Sequence, residues 1–184
     1  MFDQNDNQSG ANYSPFRRGA EDGVLFGVYL GALSVCMLAG LRVSVLEVLF
    51  LILAVGVPFY CFRRQRRSYV SAGGSLAVAP LWMQGIVMFF CGSIIMALVT
   101  MIYLQWIDPD YLAYLKAMVT ESVALDPGAF AASGIKPADI DNLFAIITPA
   151  KFAVEMLWLS IFTGSILSLL TAVIVPLKRI PQKR

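Results

Sequence analysis

The sequence contains no histidine, three cysteines, and 14% charged residues among 184 positions. The missing histidine removes the commonest general base near neutral pH and the commonest metal ligand. No two of Cys36, Cys61 and Cys91 have the spacing of a zinc knuckle or a redox CxxC pair, so we interpret them as small packing residues. Phosphate-binding loops, HExxH zinc sites and GxSxG elbows do not occur in the sequence either. We therefore expect a protein that is not an enzyme and that takes no cofactor, metal or nucleic acid.

Apolar residues are abundant instead, at 58% of the chain compared with about 45–50% in soluble domains. In lipid a spanning segment has to pair its own backbone polar groups, so a span is normally a helix of about 20 mostly apolar residues. The sequence has four such apolar runs, and Pro58 lies in the second of them, where it is expected to kink the helix. The sequence predicts an all-α fold, an integral membrane four-helix bundle forming one domain over residues 15–184. Its predicted spans are about 23–41, 43–62, 76–107 and 150–177.

Residues 1–14 are polar and predict a disordered tail rather than a cleavable signal peptide, which needs an apolar stretch near its start. The distribution of basic residues predicts the orientation. Ten arginines and lysines fall on the side that holds both termini, and four fall on the other side. By the positive-inside rule we expect both termini in the cytoplasm of a bacterium, with the protein in the inner membrane.

Glycine recurs at every fourth position of the first span, at Gly19, Gly23, Gly27 and Gly31. The fourth span has a weaker analogue centred on Gly164. Small residues at this spacing let another helix approach closely. Two interpretations remain open: the glycine face packs helices within one monomer, or it receives a second copy of the chain or another inner-membrane protein.

Acidic residues lie close to the predicted membrane boundaries. Glu21 and Asp22 lie where the first span begins, and we expect them to neutralise nearby arginines. Glu47 and Glu155 lie about one turn inside the opposite boundary, with Arg42 and Lys151 close by in sequence as possible partners. A charged side chain within or close to the hydrocarbon region costs free energy, so an acid placed there usually has a function. All four acids are therefore candidate ionisable sites for proton or ion transfer.

Four arginines, Arg63, Arg64, Arg66 and Arg67, follow the second span directly. Such a cluster either sets topology alone or also binds the head groups of anionic membrane lipids. Both interpretations make membrane lipids a predicted partner of this segment.

The segment between the third and fourth spans, residues 108–148, is predicted to be a short helical extracytoplasmic loop. Asp108 with Pro109 is expected to start one amphipathic helix, and Pro137 a second one. The apolar stripes of these helices fit the membrane surface, the bundle itself or a protein partner.

Two stretches resemble a known family. One is Tyr103-Leu104-Gln105-Trp106-Ile107-Asp108-Pro109-Asp110-Tyr111-Leu112, and the other runs from Ser165-Ile166-Leu167-Ser168-Leu169-Leu170 to Pro176-Leu177-Lys178-Arg179. With the glycine-spaced first span, they resemble an uncharacterised family of small four-span inner-membrane proteins of Gram-negative bacteria. The resemblance implies location and topology and supplies no catalytic residues. It also implies an accessory role in envelope glycan or lipid-linked sugar assembly.

Three functions follow from these observations. The first is a non-enzymatic accessory or scaffold subunit of a membrane complex. The alternative is a small transporter or channel that uses Glu47 and Glu155. A third hypothesis is a lipid-modifying enzyme with Asp108 and Asp110 at the outer surface.

Overall fold

A computed structural model describes residues 14–125 and 137–177, and no strand occurs in those ranges. Its helices are α1 (Pro15–Gly40), α2 (Ser44–Ser71), α3 (Val78–Ile102), α4 (Tyr111–Leu125), α5 (Pro137–Ile146) and α6 (Pro149–Leu177). A π-helical turn, Tyr103–Ile107, extends α3. Helices α1, α2, α6 and the extended α3 are each long and apolar enough to cross a membrane. The predicted all-α bundle with four spans is therefore confirmed.

Two helices are longer than the predicted spans. Helix α1 begins at Pro15, where Ser14 accepts a hydrogen bond from the Arg17 N–H, 3.4 Å away. Helix α2 continues past Pro58 and through the arginine cluster to Ser71. Arginine has a high helix propensity, so the helix extends beyond the apolar run although the hydropathy falls. The arginines are therefore held on a helix, in fixed directions.

Helix α3 lies at the centre of the bundle and runs parallel to α1. Gly19 lies against Val87, Gly23 against Cys91 and Gly27 against Ile95. Each of these neighbours lies 68 positions after its glycine, so the two helices keep one register over the whole glycine face. A side-chain carbon added at Gly23 would come within 2.7 Å of the Cys91 Cβ. The glycines thus allow the backbones of α1 and α3 to approach closely.

Helix α6 packs on another face of α3 in the antiparallel direction. Gly164 lies against the Phe89 ring, and any side chain at this position would meet that ring. One turn away the Ser93 hydroxyl donates to the Ser160 hydroxyl at 2.8 Å. The small residues of the fourth span therefore have the same packing role as those of the first.

Helix α2 packs on α1 and leaves most of its surface uncovered. The Tyr29 hydroxyl donates to the Leu53 carbonyl, and Gly56 makes room for it because a side chain there would meet that hydroxyl. Only 6% of the most apolar window of α2 is buried, compared with 50% for α1. Helix α2 is thus the span most exposed to lipid.

The segment after α3 differs from its predicted form. Helix α4 begins at Tyr111 rather than at Pro109, and the Asp108 side chain bonds Arg42 instead of capping a helix, so that prediction is wrong. Pro137 does open α5, as predicted, and Lys116 of α4 pairs with Asp141 of α5 at 2.8 Å. The predicted tail, apart from Ser14, and residues 126–136 lie outside the described residues.

Candidate functional site

The arginine end of the bundle is the end at which Arg63, Arg64, Arg66 and Arg67 lie. It consists of the start of α1, the end of α2 and the start of α3. An ion pair joins two of these helices: Arg64 Nη1 lies 3.1 Å from Asp22 Oδ1. The other carboxylate oxygen of Asp22 accepts from the Gln84 amide at 3.2 Å. Arg64 also donates to the Tyr60 hydroxyl at 3.1 Å and lies over that ring. Asp22 therefore links α1 to α2 through Arg64 and to α3 through Gln84.

The remaining arginines of α2 have a different environment. Within residues 14–125 and 137–177, no hydrogen bond or ion pair engages Arg63, Arg66 or Arg67. These three side chains surround a depression of about 680 Å³ together with Val70 and Ser71. Among the described residues of this end, the acids Asp22 and Glu21 are already engaged, Asp22 by Arg64 and Glu21 by Arg17 at 3.0 Å. The depression therefore carries positive charge that the described residues do not neutralise.

A smaller depression of about 410 Å³ joins this patch to α1. Arg18 donates to the Ser71 hydroxyl at 2.6 Å across its rim, and Arg67 and Ser68 also line it. The predicted neutralisation of arginines by Glu21 and Asp22 is thus seen in the structure, through Arg17 and Arg64 respectively.

The two candidate ionisable acids at the opposite end, Glu47 and Glu155, are not engaged by other described residues. Glu47 and Glu155 are exposed, and neither has an ion-pair partner among the described residues. The expected pairing of Arg42 with Glu47 is wrong, because the Arg42 guanidinium donates to Asp108 at 2.7 Å. Lys151 and Glu155, although one turn apart on α6, are not within ion-pair distance.

The Arg42–Asp108 pair anchors the end of the bundle opposite the arginine cluster. Asp108 is buried, and Arg42 lies over the Tyr114 ring of α4 with 5.6 Å from guanidinium carbon to ring centre. Tyr111 is buried beside Leu38. Burial, with smaller contributions from Tyr103 and Asp108, raises the pKa of Tyr111. These contacts fix the start of α4 against the spans.

The glycine face is fully used within the monomer. Gly19, Gly23, Gly27 and Gly31 lie against α3, and Gly164 lies against the Phe89 ring. A second copy or a partner helix on that face would have to displace α3. Of the two interpretations left open by the sequence, this geometry corresponds to packing inside one chain.

A buried polar layer behind the arginines was missed in the sequence. Gln65, only 1% exposed, donates through its amide nitrogen to the Ser168 hydroxyl at 2.9 Å and to the Leu81 carbonyl at 3.3 Å. Its amide oxygen has no partner in the described structure. The available signal was the helical spacing of Cys61, Gln65 and Ser68, which places the glutamine on the inner face of α2.

Within the described residues, no group of three or more cysteines and acids is placed to hold a metal ion. None of the curated proteins and none of the solved structures matches the chain. The model of one family, described as a protein of unknown function (DUF4199), matches residues 21–176. Since this match covers most of the chain, the protein belongs to the DUF4199 family of proteins of unknown function, as the resemblance indicated.

Proposed function

We propose that this protein is a non-catalytic accessory membrane protein that holds an anionic phospholipid at the arginine end of α2. The observation that carries the proposal is the alignment of the unpaired arginines with an uncovered apolar stripe on the same helix.

The stripe consists of apolar residues three or four positions apart, which places them on one face of α2. Its members are Val45, Val48, Ile52, Val55 and Phe59, each exposed over 57–75% of its surface. Continuing at the same spacing, the face reaches Arg63, Arg66 and Val70. In the half of this face nearer the arginines, from Ile52 to Arg66, the surface is apolar and then basic, which matches the acyl chains and phosphate of one phospholipid in that leaflet.

Charge favours an anionic lipid over a zwitterionic one. A basic residue near an anionic surface contributes about 1 kcal/mol. Arg63, Arg66 and Arg67 together therefore supply about 3 kcal/mol, or roughly a 100-fold preference. Arginine also binds phosphate oxygens with two parallel hydrogen bonds, a geometry that suits the phosphate of a lipid head group.

The test is native mass spectrometry of the protein released from nanodiscs that contain phosphatidylcholine and increasing fractions of phosphatidylglycerol. We expect phosphatidylglycerol to remain bound to the wild type and to be lost from the variant Arg63→Gln/Arg66→Gln/Arg67→Gln. The control variant Arg17→Gln/Lys116→Gln/Lys151→Gln removes the same number of charges from residues that line neither depression, and it should retain the lipid. Equal retention by both variants would contradict the proposal.

The accessory role implies a protein partner, and the uncovered surface of α2 leaves room for one beside the lipid. A role in envelope glycan or lipid-linked sugar assembly stays a prediction, as does the placement in a bacterial inner membrane. Co-purification supports the accessory role if a stoichiometric partner accompanies the wild type. A monomer that carries only lipid would reduce the proposal to lipid binding alone.

Transport is the second candidate, and the specific observation in its favour is the partly buried position of Asp22. This acid lies between Arg64 and Gln84, with 19% of its side chain exposed, whereas Glu47 and Glu155 face outward. A transporter would therefore couple through Asp22. Flux into liposomes should then disappear in Asp22→Asn and persist in Glu47→Gln and Glu155→Gln. Without any measurable flux in the wild type, this candidate is eliminated.

A further inference from the structure

A separate cavity of about 400 Å³ opens inside the bundle, between α2 and α6. Its walls come from all four spans, with Ser34 of α1, Ala54 of α2, Met96 of α3 and Ser160 of α6 among the residues that line it. Every lining residue lies within a membrane-spanning helix, and the volume is in the range of small-molecule pockets.

The cavity is apolar although hydroxyl groups line it. Ser34 is bonded to Thr100 at 2.6 Å, and Ser160 accepts from Ser93 at 2.8 Å. These two hydroxyls are thus bonded within the protein, and the third hydroxyl of the lining belongs to Thr163, at an exposed position of α6. One such group is too few to hold water, which needs two to four polar partners. Methionines, whose flexible thioethers adapt to irregular shapes, supply part of the remaining wall at Met37, Met96 and Met156. The contents of such a cavity should be hydrocarbon.

The size of the cavity excludes a partner helix. An α-helix with its side chains is about 10 Å wide, so a volume of 400 Å³ holds only about one turn of it. The lining of α2 extends from Phe50 to Pro58, about 12 Å along the helix axis. A single flexible chain fits this long, narrow space, whereas a second copy of the bundle does not.

From these observations we infer that the cavity binds one acyl chain of a membrane phospholipid. The lining runs from Met37 and Met156, towards the end opposite the arginines, to Phe89 and Leu167, in the halves of α3 and α6 nearer the arginines. None of the lining residues belongs to the five-residue stripe of α2 or lines the arginine depression. The site is therefore distinct from the arginine face and does not depend on the proposed function.

The experiment is photo-crosslinking with a phosphatidylcholine that carries a diazirine in the middle of one acyl chain, followed by mass spectrometry of the labelled peptides. Phosphatidylcholine is zwitterionic, so failure of the arginine site would not affect the result. Lipids that merely surround the bundle can label outward residues such as Val55. They cannot reach Met96, which is 7% exposed and lies inside the cavity.

We expect labelling at Met96 in the wild type, and at least a fivefold loss of it in Ala54→Phe, which fills the cavity. The matched control, Val55→Phe, changes the next residue on the lipid-facing side and should leave the Met96 label unchanged. Thr163→Trp, at an exposed lining position of α6, blocks the same cavity if Ala54→Phe does not fold. A wild type without label at Met96, or equal labelling in wild type and both filled variants, would overturn the inference.

Discussion

The substitution Gly27→Leu tests the packing of α1 on α3 most sharply. A Cβ at this position would lie 2.6 Å from the Ile95 Cδ1 and 2.8 Å from the Ile95 Cβ. Carbon atoms in favourable contact are about 3.5–4.0 Å apart, so the two helices would have to separate by about 1 Å. The Ile95 Cβ is fixed to the backbone and cannot rotate away.

We expect this separation to cost about 1–3 kcal/mol of unfolding free energy, the usual range for an overpacked site. A gap of this size also forfeits a quarter to a half of the dispersion energy of each neighbouring contact. The assay is reversible unfolding in mixed dodecyl maltoside and dodecyl sulfate micelles. Ala32→Leu, on the exposed side of α1, is the control and should change the stability by less than about 0.5 kcal/mol.

A double-mutant cycle separates this contact from general damage to α1. Adding Ile95→Ala should recover part of the loss in Gly27→Leu, whereas adding Val99→Ala should not, because Val99 lies against Gly31. An unchanged unfolding midpoint in Gly27→Leu would refute the packing. If that variant kept its stability but lost a co-purifying protein, the glycine face would be a partner site after all.

The remaining predictions concern single contacts and the orientation. Arg64→Ala leaves the Asp22 carboxylate largely buried without its cation and should cost about 2–3 kcal/mol in the same unfolding assay, whereas Arg17→Ala should be nearly neutral because its pair with Glu21 is exposed. Gln65→Glu should destabilise strongly because it turns the donor that faces Ser168 into an acceptor, and Gln65→Met should cost less; the reverse order would contradict the hydrogen-bond assignment. Tyr29→Phe removes the bond to Leu53 and should cost about 1 kcal/mol; full stability in this variant would show that the bond contributes nothing. A reporter fused after Arg184 should be active in the cytoplasm, and periplasmic activity would reverse the orientation.

The hydropathy of the sequence was sufficient to predict the spans, because a helix that crosses the membrane needs a continuous apolar stretch of about 20 residues. The periodicity of Gly19, Gly23, Gly27 and Gly31 identified the packing face of α1 but not its neighbour. Many helices can pack on a face of small residues. That α3 packs here depends on side chains 68 positions later in the sequence, which no local pattern in α1 identifies. Similarly, the sequence identified the arginines as a basic cluster. It did not show that Arg64 points towards α1, because this direction depends on the helix continuing past Phe62.

Contacts between distant polar residues could not be predicted in the same way. Asp108 pairs with Arg42, 66 positions earlier, because the π-helical turn at the end of α3 brings the carboxylate to the α1–α2 corner. The local sequence suggested Glu47 as the ion-pair partner of Arg42, because the two residues are only five positions apart. Gln65 was overlooked for a related reason: its four charged neighbours suggested an exposed segment, whereas helical geometry turns that one position inward.

The most direct test of the central claim is mild-detergent purification from native membranes, followed by mass spectrometry of the lipids and proteins that remain bound. We expect anionic phospholipid to accompany the wild type and to be lost when Arg63, Arg66 and Arg67 are replaced by glutamine. An identical lipid composition in the two preparations would contradict the claim.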